Sequence, residues 1–138
     1  MPAPYHEQPR SFWQVSLLDR RKHVVRCARL PKPYADLEDV RGAYQNLHRD
    51  LDALGRRGAL VIDLRDAPQM RNDPAFEAIH CENRDSTLRG FSHIAFVVGT
   101  PSGRLQLERM GKEDDRNWAV LLGEAELQTW LKALRDTP

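Results

Sequence analysis

Cysteine is scarce in this chain of 138 residues, because only Cys27 and Cys81 occur. The sequence has no C-x-x-C pair, the spacing that structural zinc sites and redox centres often use. A small secreted disulfide scaffold would carry more cysteines. We therefore expect two reduced thiols that behave as small hydrophobic side chains, and neither a metal site nor a cofactor.

Long apolar runs are also missing, since none approaches the roughly 20 residues that a membrane-spanning helix needs. Residues 1–10 are polar, contain three prolines and lack the apolar core of a signal peptide. We expect residues 1–11 to form a flexible tail and residues 12–138 to form one domain. These absences favour a cytoplasmic protein without a membrane span.

The chain has little net charge, because 21 Lys and Arg residues face 20 Asp and Glu residues, giving +1. A nucleic-acid-binding domain is usually clearly basic, so we do not expect nucleic acid as a partner. Two short basic runs, 20–22 and 56–57, lie at predicted turns. Solvated turns explain both runs, although either could also serve as a patch for a partner.

Alternating strand and helix patterns are what the sequence does contain. Strands are predicted over 12–18, 24–30, 59–64, 94–98 and 118–122, and helices over 37–54, 74–88, 105–110 and from 123 onwards. The clearest helix begins after a plausible N-cap, Asp36, and ends at Gly55. Its apolar residues recur at steps of three and four: Leu37, Val40, Tyr44, Leu47, Leu51 and Leu54.

The strands at 59–64 and 94–98 are continuous apolar runs, which is typical of parallel strands buried on both faces. Parallel strands need crossovers, and each crossover here is a predicted helix. The sequence therefore predicts an α/β fold in the order β-β-α-β-α-β-α-β-α, with a mixed, mostly parallel sheet and helices packed on it.

Three segments of this order resemble the STAS domains of anti-sigma-factor antagonists. They are the strand Leu60-Val61-Ile62-Asp63-Leu64, the strand 94–98 that leads into a helix, and the closing helix 124–131. The resemblance covers about residues 12–135. It implies a non-enzymatic regulatory module that binds a protein partner through the start of the helix after the first of these strands.

That helix start departs from the family, whose motif there contains a serine or threonine that becomes phosphorylated. This chain has Arg71-Asn72-Asp73-Pro74 instead, with no hydroxyl group. The resemblance therefore implies partner binding through Arg71, Asn72 and Asp73 without a phosphorylation switch. Asp73 either imitates the modified residue or is a plain N-cap. The thin apolar stripe of helix 74–88 leaves its outer face exposed or docked on a second copy of the chain.

The loop from Gly99 to Gly103 is the main candidate for ligand binding. Ligands of open α/β sheets favour the carboxyl ends of the strands, where Gly99, Thr100, Ser102 and Arg104 would offer backbone and side-chain donors to an anion. The alternative function is therefore a small-molecule or lipid-binding domain with a pocket at these strand ends. The other interpretation of this loop is structural: it is the start of a helix, with Thr100 as N-cap and Pro101 at the first helical position.

His80, Cys81 and Glu82 are adjacent and raise the question of a catalytic cysteine. Neighbouring residues on a helix point about 100° apart, so the three do not converge on one point. His23, His48 and His93 also lack the spacing of metal ligands. We expect the chain not to be an enzyme.

Overall fold

The computed structural model describes residues 11–68 and 73–136. The predicted tail, apart from Ser11, lies outside the described residues, as do the candidate partner-binding residues Arg71 and Asn72. The elements are β1 (Trp13–Asp19), β2 (Val24–Arg29), α1 (Leu37–Leu54), β3 (Ala59–Asp63), α2 (Pro74–Leu88), β4 (His93–Val98), α3 (Pro101–Glu113), β5 (Ala119–Leu122) and α4 (Gly123–Arg135). The predicted order of strands and helices is confirmed.

The five strands form one sheet in the order β1-β2-β3-β4-β5. The β1–β2 hairpin is antiparallel, whereas β2, β3, β4 and β5 pair in parallel. Helices α1, α2 and α3 provide the three crossovers between the parallel strands. The predicted α/β class with a mixed, mostly parallel sheet is therefore confirmed.

Residue alternation along each strand divides the core into two layers. Val25, Cys27, Leu60 and Ile62 point to one face, where side chains of α1, α2 and α3 cover them. The opposite face is packed by α4: its buried members are Val24, Ala59, Val61, Val97, Leu127 and Leu131. Asp63 alternates with Val61 and so belongs to the face that α4 covers.

Helix α1 is amphipathic, and its inner stripe is close to the predicted one. Val40, Leu47 and Leu51 are buried, and Asp36 caps the helix by accepting a hydrogen bond from the backbone N–H of Asp39 at 2.9 Å.

Among the described residues, no helix is long and apolar enough to span a bilayer.

Helix α2 packs mainly against α1. Its side chains Phe76 and Ile79 form a small separate core with Val40 of α1. Only the far end of α2, at Leu88, joins the main core. Helix α2 is therefore attached to the rest of the fold by a narrow apolar stripe.

The carboxyl end of α2 is held by Arg56, which lies in the turn between α1 and β3. The guanidinium Nη1 of Arg56 donates to the carbonyl oxygens of Ser86, Thr87 and Arg89 at 2.6, 3.2 and 3.1 Å. The last carbonyls of a helix lack partners within the helix and carry partial negative charge, so a cation stabilises them. The basic run 56–57 is therefore not simply solvated, because Arg56 is a helix cap.

Candidate functional site

A buried carboxylate lies at the carboxyl end of β3, between the parallel strands β2 and β4. Asp63 is only 3% exposed. Its Oδ2 accepts hydrogen bonds from Arg26 Nη2 and Arg65 Nη2, both at 2.6 Å. Its Oδ1 accepts from Arg65 Nε at 3.0 Å and from the Arg65 backbone N–H at 3.1 Å.

These hydrogen bonds decide the ionisation of the carboxylate. Burial alone would raise the pKa of Asp63, but the hydrogen bonds from Arg65 and Arg26 outweigh it and lower the pKa to about 2. The same contacts raise the pKa of Arg65. Asp63 is therefore a charged structural centre at neutral pH, because neither oxygen is free to act as a general base.

Helix α4 begins beside this cluster, and two of its glutamates hold it in place, one through Arg65 of the cluster and one through Arg104 of α3. Arg65 Nη1 donates to Glu124 at 2.7 Å, and Arg104 Nη2 donates to Glu126. Glu126 also accepts from the backbone N–H of Leu122 at 2.9 Å, which replaces the missing side-chain cap. Carboxylates in a first helical turn are stabilised by the helix dipole.

The predicted anion-binding residues lie beside these pairs. Thr100 is the N-cap of α3 and accepts a hydrogen bond from the backbone N–H of Gly103 at 3.1 Å. The Ser102 hydroxyl lies 3.4 Å from the Thr100 hydroxyl, and the Gly99 backbone approaches that of Arg65. The capped turn is confirmed, and anion binding stays a prediction in which Arg104 would first have to exchange Glu126 for the ligand.

Asp73, the described member of the predicted partner-binding group, is the N-cap of α2. Its Oδ1 accepts from the backbone N–H of Ala75 at 2.9 Å. The N-cap role is confirmed, and neither imitation of a phosphorylated residue nor partner binding is tested by this geometry.

The outer face of α2 is a continuous exposed stripe. Residues three, four and seven apart lie on one side of a helix. The stripe, called here the α2 face, consists of Pro74, Glu77, Ala78, Cys81, Glu82 and Asp85, all of them exposed. It combines small side chains with three carboxylates, of which Asp85 is paired with Arg116, and Arg84 reaches its edge, where Nη2 lies 3.6 Å from the Cys81 Sγ.

The two cysteines differ in a way that the sequence did not indicate. Cys27 is fully buried in the main core, and burial raises the pKa of its thiol to about 12. Both cysteines are free, as predicted, but Cys81 is exposed on the α2 face, so only Cys27 packs as a small hydrophobic side chain. The reason is that position 81 falls on the stripe opposite Phe76 and Ile79.

His80 points away from Cys81, towards α1. Its Nδ1 lies 2.6 Å from the Tyr44 hydroxyl. One helical turn further along α1, His48 Nε2 lies 2.8 Å from the Thr87 hydroxyl of α2. The expectation that His80, Cys81 and Glu82 do not converge agrees with this geometry, and the two histidines instead join the two helices.

Arg29 lies at the end of this helix interface and is 5% exposed. Its Nη1 donates to the carbonyl oxygens of Leu30 and Phe12 at 2.6 and 3.3 Å. Its guanidinium carbon lies 4.2 Å from the centre of the Tyr34 ring, which is within the range of a cation–π contact. Arg29 thus holds together the start of β1, the end of β2 and the loop before α1.

A metal centre finds no support in the part of the chain that the structure describes. Among those residues, no group of three or more His, Cys, Asp or Glu side chains is placed to hold an ion. His23, for example, contacts the carbonyl oxygen of Gly55 at 2.8 Å, whereas His48 and His80 contact hydroxyl groups.

The arginine partners of Asp63 and the histidine bridges between α1 and α2 were not predicted from the sequence. One signal was present: Asp63 and Arg26 each interrupt an apolar strand, and a charge inside such a strand needs a partner. Nothing in the sequence indicated that Arg26 would be that partner, because the two residues lie 37 positions apart.

Comparisons of the chain with models of known families, with curated proteins and with solved structures found no match.

Proposed function

We propose that this chain is a non-enzymatic protein-interaction module of STAS-like type that works without a phosphorylation switch. The observation that carries the proposal is the α2 face. Helix α2 uses a narrow stripe for its own packing and leaves a six-residue stripe exposed along the whole helix. In the family that the chain resembles, the start of the equivalent helix contacts the partner.

The chemistry of the α2 face indicates the kind of partner. Glu77 and Glu82 flank the small side chains of Ala78 and Cys81, so the surface is acidic at its edges and weakly apolar at its centre. Small side chains allow a partner to approach the helix closely, and the carboxylates favour Lys or Arg opposite them. We therefore propose a protein partner with a basic binding surface.

The alternative, a small-molecule or lipid-binding pocket at the strand ends, has less support. Arg65 and Arg104 are cations at that edge, and each is paired with a glutamate of α4. An anionic ligand would have to displace those glutamates before it could bind. Retained ligand in native mass spectrometry of the purified protein would favour this alternative.

Site-specific photo-crosslinking tests the proposed function. A photoreactive residue at Ala78 on the α2 face is compared with one at Thr129, an exposed position of α4. We expect a discrete adduct in native lysate from position 78 alone. The protein identified by mass spectrometry is then purified, and its binding to the chain is measured directly.

Charge reversal supplies the specificity control. The double variant Glu77→Lys and Glu82→Lys should lose the adduct and weaken binding by at least about tenfold, as expected when attractive charge pairs become repulsive. The double variant Glu108→Lys and Glu113→Lys makes the same change on the exposed side of α3 and should bind like the wild type. Equal loss in both variants, or equal adducts at positions 78 and 129, would contradict the proposal.

A further inference from the structure

Three turns meet at the amino-terminal ends of the parallel strands, at the opposite edge of the sheet from the buried carboxylate cluster. They are residues 19–23 before β2, 55–58 before β3 and 89–93 before β4. The backbone N–H of Ala59 donates to the carbonyl oxygen of His23 at 3.0 Å. The backbone N–H of Ser92 donates to the carbonyl oxygen of Gly58 at 2.8 Å. Since direct hydrogen bonds join each turn to the next, the three turns form one end of the sheet.

This end of the sheet is strongly positive. The three turns contain six Lys and Arg residues and only one carboxylate, Asp19. Because the whole chain has a net charge of only +1, the remaining residues together carry a net negative charge. The basic runs 20–22 and 56–57, which are separate in the sequence, therefore lie side by side in the fold, together with Arg89.

Four of these cations form no ion pair with a described carboxylate. They are called here the basic end, and all of them are exposed: Arg20, Arg21, Arg57 and Arg89. By contrast, Arg56 is paired with Asp52, and Asp19 is paired with Arg135. The carboxylates nearest along the chain are thus already engaged, and the guanidinium groups of the basic end are left for solvent or for an anionic partner.

The composition of the turns indicates which anionic partner fits. They contain no exposed Phe, Tyr, Trp or aliphatic side chain, because their one apolar residue, Phe91, is buried. Single-stranded nucleic acid is usually held by stacking on aromatic side chains, and amphipathic membrane contacts insert apolar ones. The net negative charge of the remaining residues would repel a long polyanion such as a nucleic-acid duplex. These observations favour a short anionic partner.

The size of the basic end sets the length of that partner. Neighbouring strands lie about 4.8 Å apart, so the turns before β2, β3 and β4 span about 10 Å. An extended peptide rises about 3.3 Å per residue, so roughly four residues cross this distance. Guanidinium groups bind carboxylates through paired hydrogen bonds, which gives arginine an advantage over lysine for such a partner.

We propose that the basic end binds a short acidic segment of a partner protein, whose Asp and Glu side chains pair with Arg20, Arg21, Arg57 and Arg89. The turns are fixed to one another through their backbones, so little ordering of the protein is needed when the segment binds. This surface is separate from the α2 face, and the inference does not rest on the function proposed for that face.

Fluorescence anisotropy of the purified full chain tests the proposal with fluorescein-labelled hexaglutamate as the probe. At neutral pH and about 50 mM salt, we expect saturable binding with a dissociation constant below about 1 mM, which weakens as added salt screens the charges. Hexaglutamine of the same length should not bind. In NMR spectra, hexaglutamate should shift the backbone amides of the three turns and leave those at the carboxyl ends of the strands unchanged.

Charge reversal shows whether the site is local. The double variant Arg20→Glu and Arg57→Glu should weaken hexaglutamate binding at least about tenfold, because attractive pairs become repulsive. The double variant Arg109→Glu and Lys112→Glu makes the same change in net charge at exposed positions of α3 and should bind like the wild type. If the first variant does not fold, Arg20→Gln and Arg57→Gln replace it, with a smaller loss of affinity expected.

A short DNA duplex and phosphatidylserine vesicles are measured in parallel as competing partners. Absence of hexaglutamate binding overturns the proposal, as does an equal loss of affinity in the two charge-reversal variants. The proposal also fails if the duplex or the vesicles bind through Arg20 and Arg57 and the peptide does not, since the basic end then recognises phosphate groups of nucleic acid or lipid.

Discussion

Arg65 folds back onto Asp63, two residues earlier, and joins it through three hydrogen bonds of 2.6 to 3.1 Å. Arg26 of the neighbouring strand adds two more to the same carboxylate. Since Arg65 also reaches Glu124, one buried acid connects β2, β3 and α4. Helix α4 is thereby fixed over its face of the sheet.

Replacing Asp63 by asparagine should therefore lower the free energy of unfolding by about 3 kcal/mol, because two partly buried arginines lose their counter-charge. Chemical denaturation measures the change. Asp66→Asn, which alters an exposed carboxylate three residues away, is the matched control and should stay within about 0.5 kcal/mol of the wild type. Similar losses in both variants would mean that the cluster does not stabilise the fold.

The stability of the protein at acidic pH should depend on the same cluster. The folded-state pKa of Asp63, about 2, lies below its unfolded value of 3.8, so its stabilisation is present above about pH 4 and is lost as the pH falls towards 2. The difference corresponds to about 2 kcal/mol. Denaturation curves of the wild type and of Asp63→Asn should therefore converge between about pH 5 and pH 2. A constant gap between them would contradict the lowered pKa.

The fold could be predicted from the sequence because its signals are local. Strand 59–63 is a short apolar run, α1 has a regular apolar stripe, and Asp73-Pro74 begins α2 where a capped helix should begin. The boundaries changed by only a residue or so at most ends. One exception is α3, which extends from Pro101 to Glu113 and so exceeds the apolar stripe predicted over 105–110. Its start agrees with the predicted capped turn at Thr100 and Pro101, whereas its apolar residues were too few to show where it ends.

The site could not be predicted in the same way, because its contacts join distant positions. Asp63 with Arg26, and Tyr44 with His80, come together only through strand pairing and helix packing. The α2 face could be predicted only in part. Its sequence spacing was visible, but its exposure depends on α2 packing mainly against α1.

Arg56 should stabilise the protein as the C-terminal cap of α2. Arg56→Ala removes three hydrogen bonds to carbonyl oxygens and should cost about 1–2 kcal/mol. Arg57→Ala removes the same charge one residue later, at an exposed position, and should have little effect. Thermal unfolding of the two variants gives the comparison, and equal melting temperatures would show that the cap contributes nothing.

The two cysteines should react at very different rates with a thiol reagent such as Ellman's reagent. Cys81 is exposed and should react at once in the native protein, whereas Cys27 is buried with a pKa near 12 and should react only on unfolding. Cys81→Ser should therefore abolish the fast phase, and Cys27→Ser should leave it intact. Two fast thiols in the native wild type would show that the core around Cys27 opens readily.

Gly58 and Gly42 should respond to alanine in opposite directions. Gly58 has a φ of +72°, and a Cβ there would lie 2.2 Å from the carbonyl oxygen of His23, which also accepts the hydrogen bond that begins β3. Gly58→Ala should therefore destabilise the protein by about 3 kcal/mol through backbone strain and this clash.

Gly42 lies within α1, and a Cβ there would meet no atom within 4 Å. Gly42→Ala should stabilise the protein by about 0.5–1 kcal/mol, because alanine loses less conformational entropy when the helix forms. Chemical denaturation of the pair measures both effects under identical conditions. If Gly58→Ala is as stable as the wild type, the turn that joins His23 to Gly58 is not a rigid contact, since a flexible turn would tolerate the added methyl group.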